Sequence, residues 1–458
     1  MEILKLAIIF VMLLPIFICA RKEQKGYLYI FFSLYGILPD ACGIEISSSL
    51  PIITMDRILI LILFAAVVYK KRFVLRVSLP KEFYIYIVIN VIVSIVNIRF
   101  GAGEFNQLFI YMYEQLLVVI LLYNYIDNEI EFEKCIDYLI AGGTILAIMA
   151  VVQFLFRLDL SSALMWSDPR AFVRIEDRMG RMRACATFNA LSYGCYSAFL
   201  SIVIIYRYLK TNKKKFVLAL YIDLLALMCT LSRSAILSLV IVLFVMLLTT
   251  KGKLIKGFYK YFLLAIGVIG ISIIVFPSVF DVFKQVFLSI MNTLGGNHEL
   301  SSEFGTNATN GTYSRLRQWS SVIYMANDNN LLFGYGYNGF VNGAVKYFNF
   351  REKYWHIAKE LDVGFVAFLI NGGVIGLLSY FMFLVTPCFK IKKYISRRKW
   401  DFGCMYIYMA MLLMFLEFMT SFAVRHFEWL IFSLFWIWIE IAKKGKKDEL
   451  LEKNTKNI

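Results

Sequence analysis

Long apolar runs separated by short polar segments are the main pattern along this chain of 458 residues. A transmembrane helix needs about 20 mostly apolar residues, and runs near this length recur from one end of the chain to the other. We therefore predict an all-α polytopic membrane protein with about thirteen transmembrane helices. The predicted spans are residues 3–20, 26–39, 57–69, 83–98, 108–126, 135–156, 185–208, 216–231, 234–250, 261–280, 361–386, 403–423 and 427–442.

The composition supports this class. Hydrophobic residues make up 60% of the chain, charged residues make up 17%, and the mean hydropathy is +0.68. Soluble domains usually have about a quarter of their residues charged. The eight cysteines show neither disulfide nor zinc spacing, so most are expected to be packing residues. Residues 3–20 have no convincing cleavage site, which favours a first span over a signal peptide.

The formal net charge of +16 arises largely from basic residues clustered in short loops between the spans. This arrangement follows the positive-inside rule, so it indicates the orientation of the chain in the membrane rather than nucleic-acid binding. The expected partners of the basic clusters are anionic lipid headgroups. It predicts an outer N-terminus and an inner C-terminus, although the acidic segment 127–134 fits the rule poorly. The basic clusters are residues 21–25, 70–72, 213–215, 390–399 and 443–447.

Two segments on the predicted outer side are much longer than the other connections. A long extramembrane segment in a tightly connected bundle is usually functional. The predicted division is residues 1–280 with the first ten spans and an Arg-rich outer loop at 157–184, a long extracytoplasmic loop at 281–360, the last three spans at 361–442, and a cytoplasmic tail at 443–458.

The outer segments contain many arginines and few lysines. A guanidinium binds phosphate oxygens in a two-pronged geometry, so an arginine-rich outer surface predicts an anionic, phosphate-bearing ligand. Pairing with the nearby acidic residues Asp168, Glu176 and Asp177 is the alternative. The outer arginines are Arg99, Arg157, Arg170, Arg174, Arg178, Arg181, Arg183, Arg233, Arg315, Arg317, Arg351 and Arg425.

One group of these arginines has helical spacing. Arg170, Arg174, Arg178 and Arg181 would lie on one face of a helix, with an apolar arc on another face. This predicts a short amphipathic helix at the membrane surface. We hypothesise that it collects a lipid-linked diphosphate, and an interfacial anchor is an equally good interpretation.

Two further positions are candidates for chemistry. Arg233 follows a very short connection between apolar runs, and an ionisable residue so close to the bilayer is a functional candidate. His356 lies at the end of the long loop, where a neutral imidazole could accept a proton from a hydroxyl. A lone histidine is more often structural, and His298 and His426 fall under that interpretation. No metal site is predicted, because no His, Asp and Glu cluster has ligand spacing.

Over residues 181–380 the chain resembles the bacterial O-antigen polymerases and O-antigen ligases, the oligosaccharide repeat-unit polymerase superfamily. The resemblance rests on the order of several short motifs around the long loop. These are Arg183 to Gly194, Leu231-Ser232-Arg233-Ser234-Ala235, Ser314-Arg315 to Trp319, Gly334 to Phe340, His356, Asp362-Val363-Gly364, and Asn371 to Gly376. The motif with His356 departs from many relatives, in which the histidine lies closer to the run resembling Asp362 onward.

The resemblance implies a GT-C-like, metal-independent, inverting glycosyltransferase that needs no cofactor. Its donor would be an oligosaccharide on undecaprenyl diphosphate, at the outer face of the bacterial cytoplasmic membrane. Arg233 and Arg315 match diphosphate-contacting arginines, with Arg183 and Arg317 as further candidates. His356 matches the family histidine that is thought to activate the acceptor hydroxyl. A chain-length regulator protein is a candidate partner.

The sequence leaves two alternatives to a repeat-unit polymerase. An O-antigen ligase would use the same donor with a lipid A core acceptor. A lipid-linked oligosaccharide flippase belongs to another class, and such transporters usually have repeated halves, short outer loops and polar residues in mid-span. No internal repeat is evident here, and Asp223 and Glu417 are the main charged residues expected within spans.

Overall fold

A computed structural model describes the protein over most of the predicted helical bundle and over the second half of the long loop. The structure describes residues 14, 18, 26–34, 43–44, 53–70, 79–101, 103–110, 116–158, 177–178, 181–187, 190–249, 281, 284–285, 287–288, 291, 298–299, 317–349, 352–358, 363–395, 402–420, 430–431 and 433–443.

Helices dominate this architecture, as expected from the apolar runs. In chain order they are α1 (Gly26–Leu34), α2 (Met55–Lys70), α3 (Lys81–Asn97), α4 (Gly103–Ile110), α5 (Leu117–Tyr125), α6 (Glu129–Phe156), α7 (Ala190–Thr211), α8 (Lys214–Cys229), α9 (Arg233–Thr249), α10 (which includes 317–327), α11 (Gly336–Val341), α12 (Gly364–Ile395), α13 (Phe402–Thr420) and α14 (which includes 433–443).

Short antiparallel hairpins supplement the helices, each with two strands. They are β1 (Gly43–Ile44) with β2 (Ile53–Thr54), β3 (Asp177–Arg178) with β4 (Arg181–Met182), and β5 (Lys346–Asn349) with β6 (Tyr354–Ile357). In the last hairpin Tyr347 pairs with His356 and Asn349 pairs with Tyr354. This register determines which side chains of the long loop face each other.

Three of the described helices are long and apolar enough to cross a membrane, namely Lys81–Phe100, Glu129–Phe156 and Gly364–Ile391. Shorter apolar helices cover Arg233–Leu248 and Tyr406–Phe418. The helical membrane-protein class is thus supported, whereas the number of thirteen spans and the GT-C-like fold stay predictions. The predicted spans 3–20, apart from Leu14 and Ile18, and 261–280 lie outside the described residues.

Local chemistry sets the bounds of α6. The Asn128 side chain accepts a hydrogen bond from the backbone N–H of Glu131 (2.9 Å), and the Glu131 carboxylate accepts one from the N–H of Asp127 (3.1 Å). These bonds satisfy amide groups that have no partner within the helix. The helix ends at Arg157, which adopts the left-handed conformation (φ 55°).

Charged residues at the first turns of α6 are paired with the last turns of α7. Arg207 Nε lies 2.6 Å from Asp137 Oδ1, and Arg207 Nη1 lies 3.2 Å from Glu133 Oε2. Lys210 forms ion pairs with Glu129 and Glu133. The acidic segment that fits the positive-inside rule poorly is therefore neutralised, in part, by basic residues at the same end of the bundle.

A break in α12 joins the long loop to the bundle. Gly373 adopts φ 63° and ψ −168°, which interrupts the helical hydrogen bonds. Residues 331–335 occupy the break, because Tyr335 N donates to Ile370 O (2.7 Å), Val374 N to Leu331 O (2.9 Å) and Ile375 N to Leu332 O (3.2 Å). A backbone group left unpaired inside a membrane costs several kcal/mol, so these bonds are required for the break to exist.

We predict that Gly373→Ala lowers stability by about 3 kcal/mol or more, because only glycine tolerates this backbone conformation and a Cβ there would lie 2.1 Å from Leu332 O. Gly376→Ala is the matched control, since its Cβ would meet nothing within 4 Å. Thermal unfolding of the detergent-purified protein measures both changes. Equal midpoints for the two variants would contradict the packing described for the break.

Candidate functional site

The first group of candidate residues surrounds the turn between α8 and α9. We call Arg183, the turn 229–232 and Arg233 the arginine turn. Leu231 has a positive φ of 52°, so the chain reverses tightly before Arg233 begins α9. Arg183 is buried, and its Nε donates to Thr230 O (2.8 Å). The N–H of Ala184 donates to Cys229 O (3.0 Å). Two arginines far apart in sequence are thereby anchored to one turn.

Gln153 of α6 holds the other side of residues 183–187. Its amide nitrogen donates to Ala186 O (2.8 Å), and its carbonyl oxygen accepts from the N–H groups of Ala186 (2.7 Å) and Cys185 (3.3 Å). Gln153 is fully buried. One side chain therefore satisfies three backbone groups of a segment that lies outside regular secondary structure, which keeps Arg183 in position.

The second group lies on the β5–β6 hairpin and the adjacent α10, and we call it the hairpin centre. The ring of Tyr347 links its two charged members. The imidazole of His356 stacks on Tyr347 with centroids 5.6 Å apart and planes inclined by 17°. The guanidinium carbon of Arg317 lies 5.2 Å from the centroid of the same ring. The structure thus brings Arg317 and His356 together, although 39 positions separate them in sequence.

Glu352 orients His356. A Glu352 carboxylate oxygen lies 2.5 Å from Nε2 of His356, and the Tyr354 ring packs 4.1 Å from the imidazole. Hydrogen bonds from Tyr354 and His356 hold the pKa of Glu352 below its usual range, so the carboxylate stays ionised in mildly acidic solution. An ionised carboxylate at Nε2 favours the tautomer with the proton on that nitrogen. Nδ1 is then the nitrogen that can accept a proton.

A series of direct contacts connects the two groups. Gly194 of α7 packs against Ser232, since a Cβ on Gly194 would lie 3.0 Å from Ser232 Cβ. The adjacent Cys195 donates to Glu417 of α13 (3.1 Å). Next along α13, Phe418 packs against Gly364 at the start of α12. The arginine turn and α12 therefore meet through neighbouring residues of α7 and α13.

The last contact in this series reaches the hairpin centre. Gln318 Oε1 accepts a hydrogen bond from the N–H of Val363 (3.0 Å), which precedes α12, and Gln318 adjoins Arg317. The two groups thus lie at the same end of the bundle, the end from which α8 leads into α9 and to which the described part of the long loop is attached.

The predicted amphipathic helix over 170–182 is wrong where the structure describes it. Residues 177–182 contribute strands β3 and β4, in which Arg178 pairs with Arg181. A two-residue connection containing glycine favours a tight hairpin, and Gly180 also weakens a helix. Arg170 and Arg174 lie outside the described residues, and the collecting role of these four arginines stays a prediction.

The structure describes only some of the remaining candidate residues. Arg315 and His426 lie outside the described residues, and His298 is exposed. Gln153, Tyr347 and Glu352 were not predicted from sequence. Only the four-residue spacing of Glu352 and His356 could have suggested their pairing. In the described part of the chain, no group of three or more His, Cys, Asp or Glu could hold a metal ion.

A comparison with protein families gives a match over residues 216–381, to a family described as O-antigen ligase. The match covers just over a third of the chain and confirms the resemblance over that segment. It supports a role of the O-antigen polymerase and ligase type in general. No curated protein matches the chain.

We predict that Gln153→Leu loosens residues 183–187, because three buried backbone groups lose their partner at a cost of about 1–3 kcal/mol each. Cys185 is buried beside Gln153, so its thiol should become accessible to a maleimide probe in the variant. Labelling mapped by mass spectrometry measures the change. Cys135, which is buried on α6, is the internal control and should stay unlabelled. Unchanged labelling of Cys185 would show that Gln153 does not hold the segment.

Proposed function

Because residues 216–381 match the O-antigen ligase family, we propose that this protein polymerises oligosaccharide repeat units carried on undecaprenyl diphosphate. The product would be a surface polysaccharide, O-antigen or capsule, made at the outer face of the bacterial cytoplasmic membrane. The proposal places the N-terminus outside and the C-terminus inside. A protein that regulates chain length is a candidate partner.

The family match carries this proposal, because the matched segment includes Arg233, Arg315, Arg317 and His356. The geometry supports it independently. Arg233 lies on the arginine turn, Arg317 and His356 share the ring of Tyr347, and contacts through α7 and α13 connect the two groups. A guanidinium group beside an imidazole, with further arginines at the same end of the bundle, suits the transfer of a glycosyl group from a diphosphate.

In the proposed reaction the acceptor hydroxyl oxygen attacks the anomeric carbon of the donor sugar. The bond from that carbon to the diphosphate oxygen breaks, and its electron pair leaves with the lipid diphosphate. Attack from the face opposite the leaving group inverts the anomeric configuration. The hydroxyl proton moves to Nδ1 of His356, which Glu352 orients through Nε2.

The arginines stabilise the leaving group in this proposal. Arg233 and Arg315 contact the diphosphate, and Arg183 and Arg317 contribute further positive charge. Fixed guanidinium groups can hold the charge that develops on the departing diphosphate without a metal ion. Arg183 has a second task, because its bond to Thr230 O fixes the turn that presents Arg233.

Two alternatives stay open. A ligase would use the same donor and the same chemistry with a lipid A core as acceptor. A flippase is favoured by one observation, the interruption of α12 at Gly373, because transporters often bind substrates at broken helices. Buried Glu417 would be the residue of interest for a flippase.

The deciding experiment supplies the purified protein, in lipid vesicles, with synthetic undecaprenyl-diphosphate oligosaccharide. A ladder of products identifies a polymerase. A single transfer, seen only when a lipid A core is added, identifies a ligase. Movement of the lipid-linked sugar across the bilayer without transfer identifies a flippase and overturns the proposal.

Loss of the proposed base should stop polymerisation. His356→Ala is expected to slow ladder formation by roughly 10²-fold or more, because proton transfer by a positioned side chain contributes about that factor. Glu352→Gln should slow it by about 10-fold or more, because it removes the group that orients the imidazole. His298→Ala and Glu299→Gln are matched controls at exposed positions of the same loop. A fully active His356→Ala would remove the histidine from the mechanism.

Removal of the proposed diphosphate contacts should have a similar effect. Arg233→Ala and Arg315→Ala are each expected to lower the ladder rate by roughly 10²-fold, since each withdraws one preorganised positive group from the leaving group. Arg157→Gly is the control, because it removes an exposed arginine and glycine suits the left-handed backbone there. If Arg233→Ala retained full activity while remaining in the membrane, the arginine turn would not be the donor site.

A further inference from the structure

Arg99 is one of the predicted outer arginines, and the mechanism proposed above does not use it. It belongs to a 3₁₀ turn, Ile98–Phe100, that directly follows α3. The continuous helical stretch Lys81–Phe100 has 20 residues, so it is about 30 Å long and matches the thickness of a bilayer hydrocarbon core. An ion pair between Glu82 Oε2 and Lys390 Nζ (2.9 Å) lies at its other end. Arg99 therefore lies at a membrane surface, on the side where the long loop is attached.

A buried side chain of the long loop fixes the guanidinium of Arg99. Arg99 Nη2 donates a hydrogen bond to Oδ1 of Asn330, which is buried. The amide nitrogen of Asn330 donates to Asp328 Oδ2 (2.8 Å), so the amide presents its oxygen to the arginine. The hydroxyl of Tyr335 donates to the same carboxylate oxygen (2.7 Å). Asp328 is thus bound by two donors, and it orients Asn330 instead of pairing with Arg99.

An aromatic ring supports the same guanidinium from the side of α3. The guanidinium carbon of Arg99 lies 4.8 Å from the centroid of the Phe100 ring. That ring packs on Tyr335 with centroids 5.4 Å apart, and the carbonyl of Phe100 accepts a hydrogen bond from Asn342 Nδ2 (2.8 Å). Phe100 and Tyr347 pack against one buried cluster. Arg99 is therefore held on the same apolar support as the hairpin centre.

The positive charge of Arg99 has no carboxylate partner in the part of the chain that the structure describes. Arg207, at the opposite end of the bundle, is by contrast paired with both Glu133 and Asp137. Arg99 is also exposed, and its bond to Asn330 uses only one of the several N–H donors of the guanidinium. A fixed, exposed guanidinium without a counter-ion can bind two oxygens of one phosphate group.

We propose that Arg99 binds the phosphate group of a lipid at this membrane surface. The phosphate has two candidate sources, the diphosphate of the lipid-linked donor and the headgroup of a membrane phospholipid, and the chemistry of recognition is the same. The donor as source rests on the proposed function, whereas a phospholipid does not. Arg99 lies outside the matched segment 216–381, so its role adds a contact beyond that segment.

The test measures lipid binding to the detergent-purified, full-length protein by native mass spectrometry, with undecaprenyl diphosphate and phosphatidylglycerol titrated separately. Arg99→Gln should weaken binding of at least one of these lipids by about tenfold or more, because charge-assisted hydrogen bonds are lost. Arg99→Lys keeps the charge without the planar fork and should weaken it less. Asn330→Ala, which releases the guanidinium, should weaken the same lipid. Lys353→Gln is the matched control, since it removes one positive charge at an exposed position of the β5–β6 hairpin.

The outcomes separate this inference from the proposed function. The larger loss identifies the source, undecaprenyl diphosphate for the donor and phosphatidylglycerol for a phospholipid headgroup. Wild-type binding of both lipids by Arg99→Gln would overturn the inference even if the wild type forms a ladder. An equal loss in Lys353→Gln would show a general charge effect and would overturn it as well. Lipid binding that depends on Arg99 but not on Lys353 would support the inference even if no ladder forms.

Discussion

The pairing of backbone groups at the break in α12 is the constraint on which the described loop end of this protein depends. A membrane helix can lose its internal hydrogen bonds only where other protein groups replace them. Here Tyr335 N and the carbonyls of Leu331 and Leu332 do so. The bonds tie residues 331–335 to the bundle, and a small buried cluster that includes Met325, Val345 and Ile370 continues the contact.

The break affects both sides of α12. On one side, the N–H of Val363 is capped by Gln318, whose neighbour Arg317 contacts the ring that stacks on His356. On the other side, Gly372 and Gly376 border open space.

The same end of the bundle shows how buried polar residues position arginines. Gln153 satisfies three backbone groups of residues 183–187, and the bond from Arg183 to Thr230 O fixes the turn before Arg233. Each of these bonds lies in a buried setting, where an unpaired group is costly. At the opposite end of the bundle, Arg207 and Lys210 form ion pairs with acidic residues in the first turns of α6.

The sequence by itself determined the helical membrane class, the candidate arginines, His356 and the family resemblance, because composition, run length and short motifs are local properties. It misjudged residues 177–182, where hairpin pairing prevailed over an arginine spacing that also fits a helix. Only the tertiary structure decided that Arg317 and His356 meet on Tyr347, that Glu352 orients the imidazole, and that α12 is broken and filled by residues 331–335. Most of these features depend on contacts between elements distant along the chain, which no local pattern encodes.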